Sequence, residues 1–224
     1  MLIVSLSAFP RGSGPGNKEG SDALETALTL SAGTVFASFL DGFVRTETAA
    51  RLHSVFADGF FRSVNYLGEW KLFLPASLSV FGISRFLKWR HAERITGNML
   101  VTYAVSGLAI SAIRYPLGRE RPFREKGNYS FRPFSGNDSF PSGHTQIIFT
   151  VLMTLGYEFG CEKYAFPAAF LVSFARVYLD KHWFSDIFFS AVLTTVVAKN
   201  IRGLSLRSSR RGNFFTYGID FDIG

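Results

Sequence analysis

The amino-acid sequence predicts an all-α fold, a bundle of about six helices in one domain. Uncharged apolar runs recur along the chain, and each is long for a buried strand and rich in Leu, Ala and Phe, as helices are. Glycine and proline punctuate the connections, and no repeat of fixed period is visible. Together these observations favour a helical bundle.

The six predicted helices are, in chain order, 26–40, 72–84, 97–113, 145–157, 164–175 and 187–198. They define a helical domain that we place at residues 22–203. Residues 1–21 are predicted to be a flexible segment, because 12–20 is rich in Gly, Ser and Pro. Residues 204–224 form a basic tail that ends in an alternation of apolar and polar residues, the period of a strand.

The apolar runs fit either a membrane-embedded bundle or a soluble core. A spanning helix needs about 20 apolar residues, and the mean hydropathy of the chain is only +0.17. Lys and Arg nevertheless cluster between the second and third runs and again after the sixth, so with six spans both clusters fall on one side. We therefore expect a multi-pass membrane protein, with a soluble periplasmic protein as the alternative.

The net charge of +7 indicates nucleic acid, anionic lipid or an acidic substrate as partner. Nucleic acid is not expected, because the basic residues do not form one stripe with interleaved aromatic residues. The single cysteine, Cys161, rules out a disulfide within the chain.

Three polar stretches, each at one end of an apolar run, carry the candidate chemistry. They are RYPLGRERPF at 114–123, PSGH at 141–144 and ARVYLDKHWFSD at 175–186. An alternating bundle brings such stretches together at one end, which is the predicted active site. With the six spans described above, this end lies opposite the basic clusters, on the extracytoplasmic side.

The residue types in these stretches suit a phosphate group. Arginines, here Arg114, Arg121 and Arg176, present planar donor forks that match phosphate oxygens. Ser142 and Gly143 precede a predicted helix, whose N-terminus favours an anion and whose glycine permits close approach of the backbone. Most arginines in such loops are solvated, so we expect Arg119 to be a solvated loop residue.

The two histidines and the carboxylate suit acid–base or nucleophilic chemistry. His182 and Asp186 are spaced i, i+4, so the carboxylate can reach the ring and orient its other nitrogen as a nucleophile or base. His144 is then available to protonate a leaving group. Arginines and N–H dipoles can carry the developing charge, so we expect no cofactor and no metal.

In combination, the stretches resemble the superfamily of type-2 phosphatidic acid phosphatases and vanadium haloperoxidases. That pattern is a basic residue, six spacers and Arg-Pro; Pro-Ser-Gly-His; then Ser-Arg, five spacers, His, three spacers and Asp. The motifs cover residues 114–186, and the helix pattern extends the resemblance over roughly 60–200. Two positions depart from it: Arg114 replaces the usual lysine, and Ala175 replaces the usual serine.

The resemblance implies a role for each residue. His182 attacks phosphorus and forms a phosphohistidine, Asp186 orients it, and His144 protonates the leaving alcohol and then activates water. The phosphate oxygens are held by Arg114, Arg121, Ser142, Gly143 and Arg176.

The predicted function is metal-independent hydrolysis of a phosphomonoester or diphosphate, with a lipid as the expected substrate because aromatic residues flank the site. Three alternatives stay open. They are a soluble acid phosphatase of broad specificity, a vanadate-dependent haloperoxidase, for which the chain is short, and a non-catalytic anion-binding membrane protein, which the complete catalytic set argues against.

Overall fold

The computed structural model describes residues 18–201, 204–211 and 214–221, with side chains from residue 28 to 201 except residue 29. Seven α-helices occupy most of this part of the chain. They are α1 Lys18–Arg51, α2 Val55–Asn65, α3 Trp70–Phe86, α4 Arg90–Leu117, α5 Gly143–Phe159, α6 Glu162–Tyr178 and α7 Phe184–Ile201. The predicted all-α bundle is confirmed, and every predicted apolar run lies within one of these helices.

Helix α2 was not predicted, because it is short and amphipathic and contains no long apolar run. Its start does carry a local signal, since the Ser54 side chain accepts a hydrogen bond from the Ala57 N–H. A 3₁₀ turn, Tyr66–Gly68, joins α2 to α3, and a second one, Pro122–Arg124, lies in the long connection between α4 and α5.

Two strands follow the bundle, β1 Leu204–Arg211 and β2 Phe214–Phe221, and they pair antiparallel. Leu204 lies opposite Phe221, and Arg211 lies opposite Phe214. This hairpin falls within the predicted C-terminal tail. Residues 1–17 of the predicted N-terminal segment lie outside the described residues, and the domain boundaries stay a prediction.

Helix α5 lies at the centre of the bundle, packed against α4, α6 and α7. Its Phe149 is fully buried and joins one apolar cluster with Met153, with Ala169 of α6 and with Ala191 of α7. Buried hydroxyls on these helices donate to the carbonyl four residues earlier, as Thr150 does to Gln146. Several hydroxyls around α5 are thus bonded within their own helices, and the N-terminus of α5 faces the candidate site.

The outer surface of the bundle is unusually apolar for a protein in water. Phe36, Phe39 and Phe43 of α1 are each about two-thirds exposed. By length and composition, α4 and α7 are apolar enough to cross a membrane, and only about half of each apolar window is buried inside the protein. Both features are typical of helices that face lipid.

Helix α4 ends at Leu117, and Gly118, which caps it, has a φ of +56°. An added Cβ there would lie 1.9 Å from the carbonyl oxygen of Arg132, so only glycine fits. This turn sends the chain across the end of the bundle and positions the arginines that follow.

Candidate active site

The three polar stretches meet at one end of the bundle, around the N-termini of α5 and α7 and the C-termini of α4 and α6. The Ser142 N–H donates to the carbonyl of Asp186 at 3.4 Å, and Arg114 Nη2 donates to the carbonyl of Pro141 at 2.6 Å. Arg121 and His182 both lie close enough to Arg176 to interact with it electrostatically. The structure thus brings the predicted site residues together.

His182 lies in the short connection before α7 and is fully buried within the protein. Its Nδ1 is 2.7 Å from the carbonyl oxygen of Ser139 and 3.4 Å from Asp186 Oδ2. The Ser139 carbonyl can only accept, so Nδ1 carries the proton and Nε2 carries the lone pair. The backbone carbonyl of Ser139 is therefore closer to the ring than the carboxylate of Asp186 is.

Asp186 is fully buried in the first turn of α7. Its Oδ2 accepts hydrogen bonds from the Ser139 hydroxyl at 2.5 Å and from the Trp183 N–H at 2.9 Å. Its Oδ1 accepts from Arg119 Nη1 at 2.5 Å. These bonds fix the carboxylate beside the imidazole of His182.

The expectation that Arg119 is a solvated loop residue is wrong. Arg119 is 2 % exposed and contacts Asp186 directly. Its guanidinium lies 5.5 Å from the ring centroids of both Phe131 and Trp183. The turn at Gly118 directs this side chain inward, and spacing alone does not reveal that direction.

Arg114 approaches the start of α5 closely. An added Cβ at Gly143 would lie 3.0 Å from Arg114 Nη2, so glycine at this position leaves room for the guanidinium. Arginine at the position where the resembled pattern has lysine is therefore accommodated by the backbone beside it.

Arg121 makes a bidentate ion pair with Asp138, at 2.8 and 2.7 Å. Burial raises the pKa of Asp138, but the hydrogen bonds and charge of Arg121 outweigh it and hold that pKa below its ordinary value. Both residues line a cavity of about 240 Å³ that also contacts Phe123, Arg124 and Asn137. Arg121 therefore faces an opening to the outside.

Arg176 is buried at the end of α6, and its Nη1 donates to Asn65 Oδ1 at 2.9 Å. Burial and the nearby positive charge of Arg176 lower the pKa of Lys181. A concentrated positive charge thus lies beside His182. Asn65 was not predicted as a site residue, because it lies 111 residues from Arg176 in the chain.

Ser142 is the N-cap of α5 and is fully buried, with its hydroxyl oxygen accepting from the Thr145 N–H at 3.4 Å. The hydroxyl therefore stabilises the helix start at the place where α5 presents its N–H groups. Its own proton can still be donated to an anion.

His144 lies in the first turn of α5 under the turn Tyr66–Gly68. An added Cβ at Gly68 would lie 2.0 Å from His144 Nε2, so the glycine packs directly on the imidazole. The other ring nitrogen, Nδ1, is 3.9 Å from Glu69 Oε1, beyond hydrogen-bond distance. Gly68 and Glu69 were also missed, because α2 and its turn were not predicted.

Burial lowers the pKa of His182 below its ordinary value, and the positive charge of Arg176 and Arg121 acts in the same direction. The hydrogen bond and charge of Asp186 oppose this effect but do not cancel it. The ring is consequently neutral at neutral pH, the state in which Nε2 is nucleophilic.

Among the described residues, three buried nitrogens at this end of the bundle lack a hydrogen-bond partner. They are Nε of Arg114, Nε of Arg176 and Nε2 of His144. Buried donors without partners are rare, and their convergence suits an anion with several acceptor oxygens.

Curated proteins of similar sequence act on lipid phosphates, by name. The chain is 34 % identical over 99 residues to lipid A 1-phosphatase of Rhizobium etli, a match covering 42 % of this chain and 43 % of that protein. It is 29 % identical over 92 residues to YbjG of Escherichia coli K12, provisionally named an undecaprenyl-diphosphatase, covering 40 % and 46 % respectively. The match thus spans less than half the length of these relatives.

The fold is similar to a crystal structure of a transmembrane PAP2-type phosphatidylglycerolphosphate phosphatase from Bacillus subtilis. The TM-score is 0.58 at 18 % identity, and the match covers 79 % of this chain and 94 % of that one. At this identity the likeness shows the fold alone.

The family model of the PAP2 superfamily matches residues 96–208, half of the chain, and includes all three polar stretches. On this evidence the chain belongs to the PAP2 superfamily.

Proposed function

We propose that this protein is a lipid phosphatase that hydrolyses a phosphomonoester or diphosphate through a phosphohistidine on His182. The observation that carries this proposal is the arrangement around its ring. Nδ1 faces the Ser139 carbonyl at 2.7 Å, which leaves the lone pair of Nε2 for phosphorus, beside buried arginines.

The phosphate oxygens are bound by the guanidinium groups of Arg114, Arg121 and Arg176 and by the N-terminus of α5. The partnerless Nε atoms of Arg114 and Arg176 support this role. The Ser142 hydroxyl and the N–H groups from Gly143 onward add neutral donors and the positive end of the helix dipole. These groups stabilise the charge that develops on the equatorial oxygens in the transition state.

In the first step, Nε2 of His182 attacks phosphorus, and the bond from phosphorus to the leaving oxygen breaks. His144, in its protonated imidazolium form, donates a proton to that oxygen, so that an alcohol leaves neutral or a phosphate leaves with one proton added. The ring of His182 becomes cationic, and the Asp186 carboxylate at 3.4 Å stabilises it.

In the second step, His144 takes a proton from water, and the water oxygen attacks phosphorus. The bond between phosphorus and Nε2 breaks, which returns His182 to its neutral form and releases inorganic phosphate. His144 regains the proton that it lost in the first step, so the cycle closes.

The lipid part of the proposal is supported by the apolar outer surface and by the names of the relatives. We propose a multi-pass topology with the site on the extracytoplasmic side, because the basic residues around 85–94 and 199–211 lie at the other ends of the predicted spans. A lipid would then present its phosphate at the membrane surface while its chains stay in the bilayer.

The test is phosphate release by detergent-purified protein, with a chelator present. The substrates are lipid A, phosphatidate, phosphatidylglycerophosphate, undecaprenyl diphosphate and p-nitrophenyl phosphate. We expect turnover of at least one lipid and an acid-labile phosphoprotein that His182→Ala abolishes. His91→Ala is the matched control, because His91 is an exposed histidine beside Glu158.

Phosphate release by His182→Ala at the rate of His91→Ala would remove the mechanism. Turnover of the soluble ester alone would remove the lipid assignment and favour an acid phosphatase of broad specificity.

A further inference from the structure

Arg119 uses its entire guanidinium inside the protein. Nε and Nη2 donate to the carbonyl of Asn128 at 2.9 and 2.6 Å, and Nη1 donates to the Ser185 hydroxyl at 2.7 Å. The two remaining N–H groups donate to Asp186 Oδ1 at 2.5 Å and to Asp41 Oδ2 at 2.7 Å. A guanidinium has five N–H donors. All five are therefore occupied, and Arg119 has none left for a phosphate.

Asp41 comes from α1, 78 residues from Arg119 in the chain, and is 1 % exposed. Its Oδ1 accepts from the Ser185 N–H at 2.8 Å, and its Oδ2 also accepts from the Ser185 hydroxyl at 2.7 Å. The carboxylate thus caps the N-terminus of α7 one residue before Asp186. A charged residue buried to this degree needs its partners, and Asp41 has three hydrogen bonds.

Arg119 stands between two buried carboxylates, Asp41 and Asp186, and is bonded to both. Its charge offsets the repulsion between them, and its planar fork sets the distance between α1 and the first turn of α7. Removal of the arginine would leave two buried negative charges facing each other.

We propose that Asp41 and Arg119 are a positioning pair that holds Asp186, and through it His182, so that helix α1 is a required part of the active site. Neither residue touches the substrate. The inference rests on the phosphohistidine mechanism proposed above. It adds helix α1 with Asp41, which lies outside the three motif stretches, and Arg119, which lies within the first of them but was not expected at the site.

The test compares Asp41→Asn with Glu47→Gln in the purified full-length protein. Both variants replace a carboxylate on α1 by its amide, but Glu47 is partly exposed and, within the part of the chain that the structure describes, forms its ion pair with Arg51. Asp41→Asn is expected to lower kcat by about 10-fold to 100-fold, as loss of a buried orienting partner does, with KM changed by less than about 3-fold. Glu47→Gln is expected to match the wild type.

A double substitution separates positioning from folding. Arg119→Met leaves two unpaired carboxylates, so adding Asp41→Asn to it is expected to recover part of the lost kcat rather than to lower it further. A purely structural role predicts changes in stability and yield alone, with kcat per correctly folded molecule unchanged in all three variants. Equal kcat for Asp41→Asn and Glu47→Gln would overturn the proposal.

A measurement that does not depend on turnover distinguishes failure of the positioning pair from failure of the phosphohistidine mechanism. In ¹⁵N-histidine-labelled protein, the Nδ1 proton of His182, bonded to the Ser139 carbonyl, is expected at low field and is assigned by its loss in His182→Ala. Asp41→Asn is expected to shift this resonance, and Glu47→Gln is not. A shift without any wild-type phosphate release would retain the positioning pair and reject the proposed function; an unmoved resonance would reject the pair.

Discussion

The two histidines at the end of the bundle are held in opposite ways. His182 lies in a dense network, in which Nδ1 faces the Ser139 carbonyl and Asp186 is itself fixed by three donors. For His144, the buried Nε2 has no hydrogen-bond partner among the described residues, and the Glu69 carboxylate stays 3.9 Å away from Nδ1. The backbone of Gly68 packs against its ring, and in the described part of the chain its hydrogen bonding is limited to a weak contact with the backbone of Asn65.

This difference matches the two tasks in the proposed mechanism. A nucleophile must present one lone pair in line with the breaking bond, so its ring has to be fixed. A residue that gives a proton to a leaving oxygen and then takes one from water must serve two positions in succession. Tight fixation of His144 would impair one of the two steps.

The largest expected effect is that of replacing His182, and the choice of substrate distinguishes it from replacement of His144. His182→Ala is expected to lower kcat at least about 10⁴-fold for every phosphate ester, because no covalent intermediate can form. His144→Ala should still release p-nitrophenol, a leaving group that needs little protonation, and then stall because water is not activated. Rapid-quench measurement should show a burst of about one equivalent per site, whereas equal, burst-free losses in both variants would contradict the division of labour.

Gly68→Ala should displace the imidazole of His144 and so impair its proton transfers, without changing any charge. The added methyl group would lie 2.0 Å from Nε2, so the imidazole must move, and we expect kcat to fall by about 10-fold to 100-fold with lipid substrates. The control is Gly59→Ala in α2, where an added Cβ meets no atom of the described residues within 4 Å and favours the helix. Equal steady-state kinetics for the two variants would show that the turn does not restrain His144.

The pH dependence should report on the His182 side. Burial and the nearby arginines hold the pKa of its ring below the ordinary value of 6.5, so the ring stays neutral, and nucleophilic, as the pH falls through 6.5. An NMR titration of ¹³C-histidine-labelled protein, with His182→Ala to assign the resonance, should place the midpoint below 6.5. A midpoint above that value would show that the Asp186 charge, rather than burial, dominates the site.

The same contrast explains how much could be predicted from the sequence. The helices were predictable because apolar runs are local, and His144, His182 and Asp186 were predictable because their neighbours stand at fixed short spacings. Asn65, Gly68 and Asp41 reach the site only through tertiary packing, so no spacing marks them. The available signals were a helix cap at Ser54, which would have revealed α2, and a lone carboxylate in an otherwise apolar part of α1.

The smallest expected effect is that of replacing Glu69, the carboxylate near His144, and it is to be compared with that of replacing Asp186, the carboxylate near His182. Its side chain is 42 % exposed and lies beyond hydrogen-bond distance from His144, so water screens most of its charge. Glu69→Gln is expected to change kcat by less than about 3-fold. The same amide replacement at Asp186 should cost about 10⁴-fold, because a buried carboxylate that orients a catalytic histidine cannot be replaced by a group that also donates. Steady-state kinetics on both variants, with lipid and with p-nitrophenyl phosphate, measure the ratio directly. If Glu69→Gln lowered kcat as strongly as Asp186→Asn, the carboxylate would have to close on His144 during turnover, and the two histidines would then be held alike.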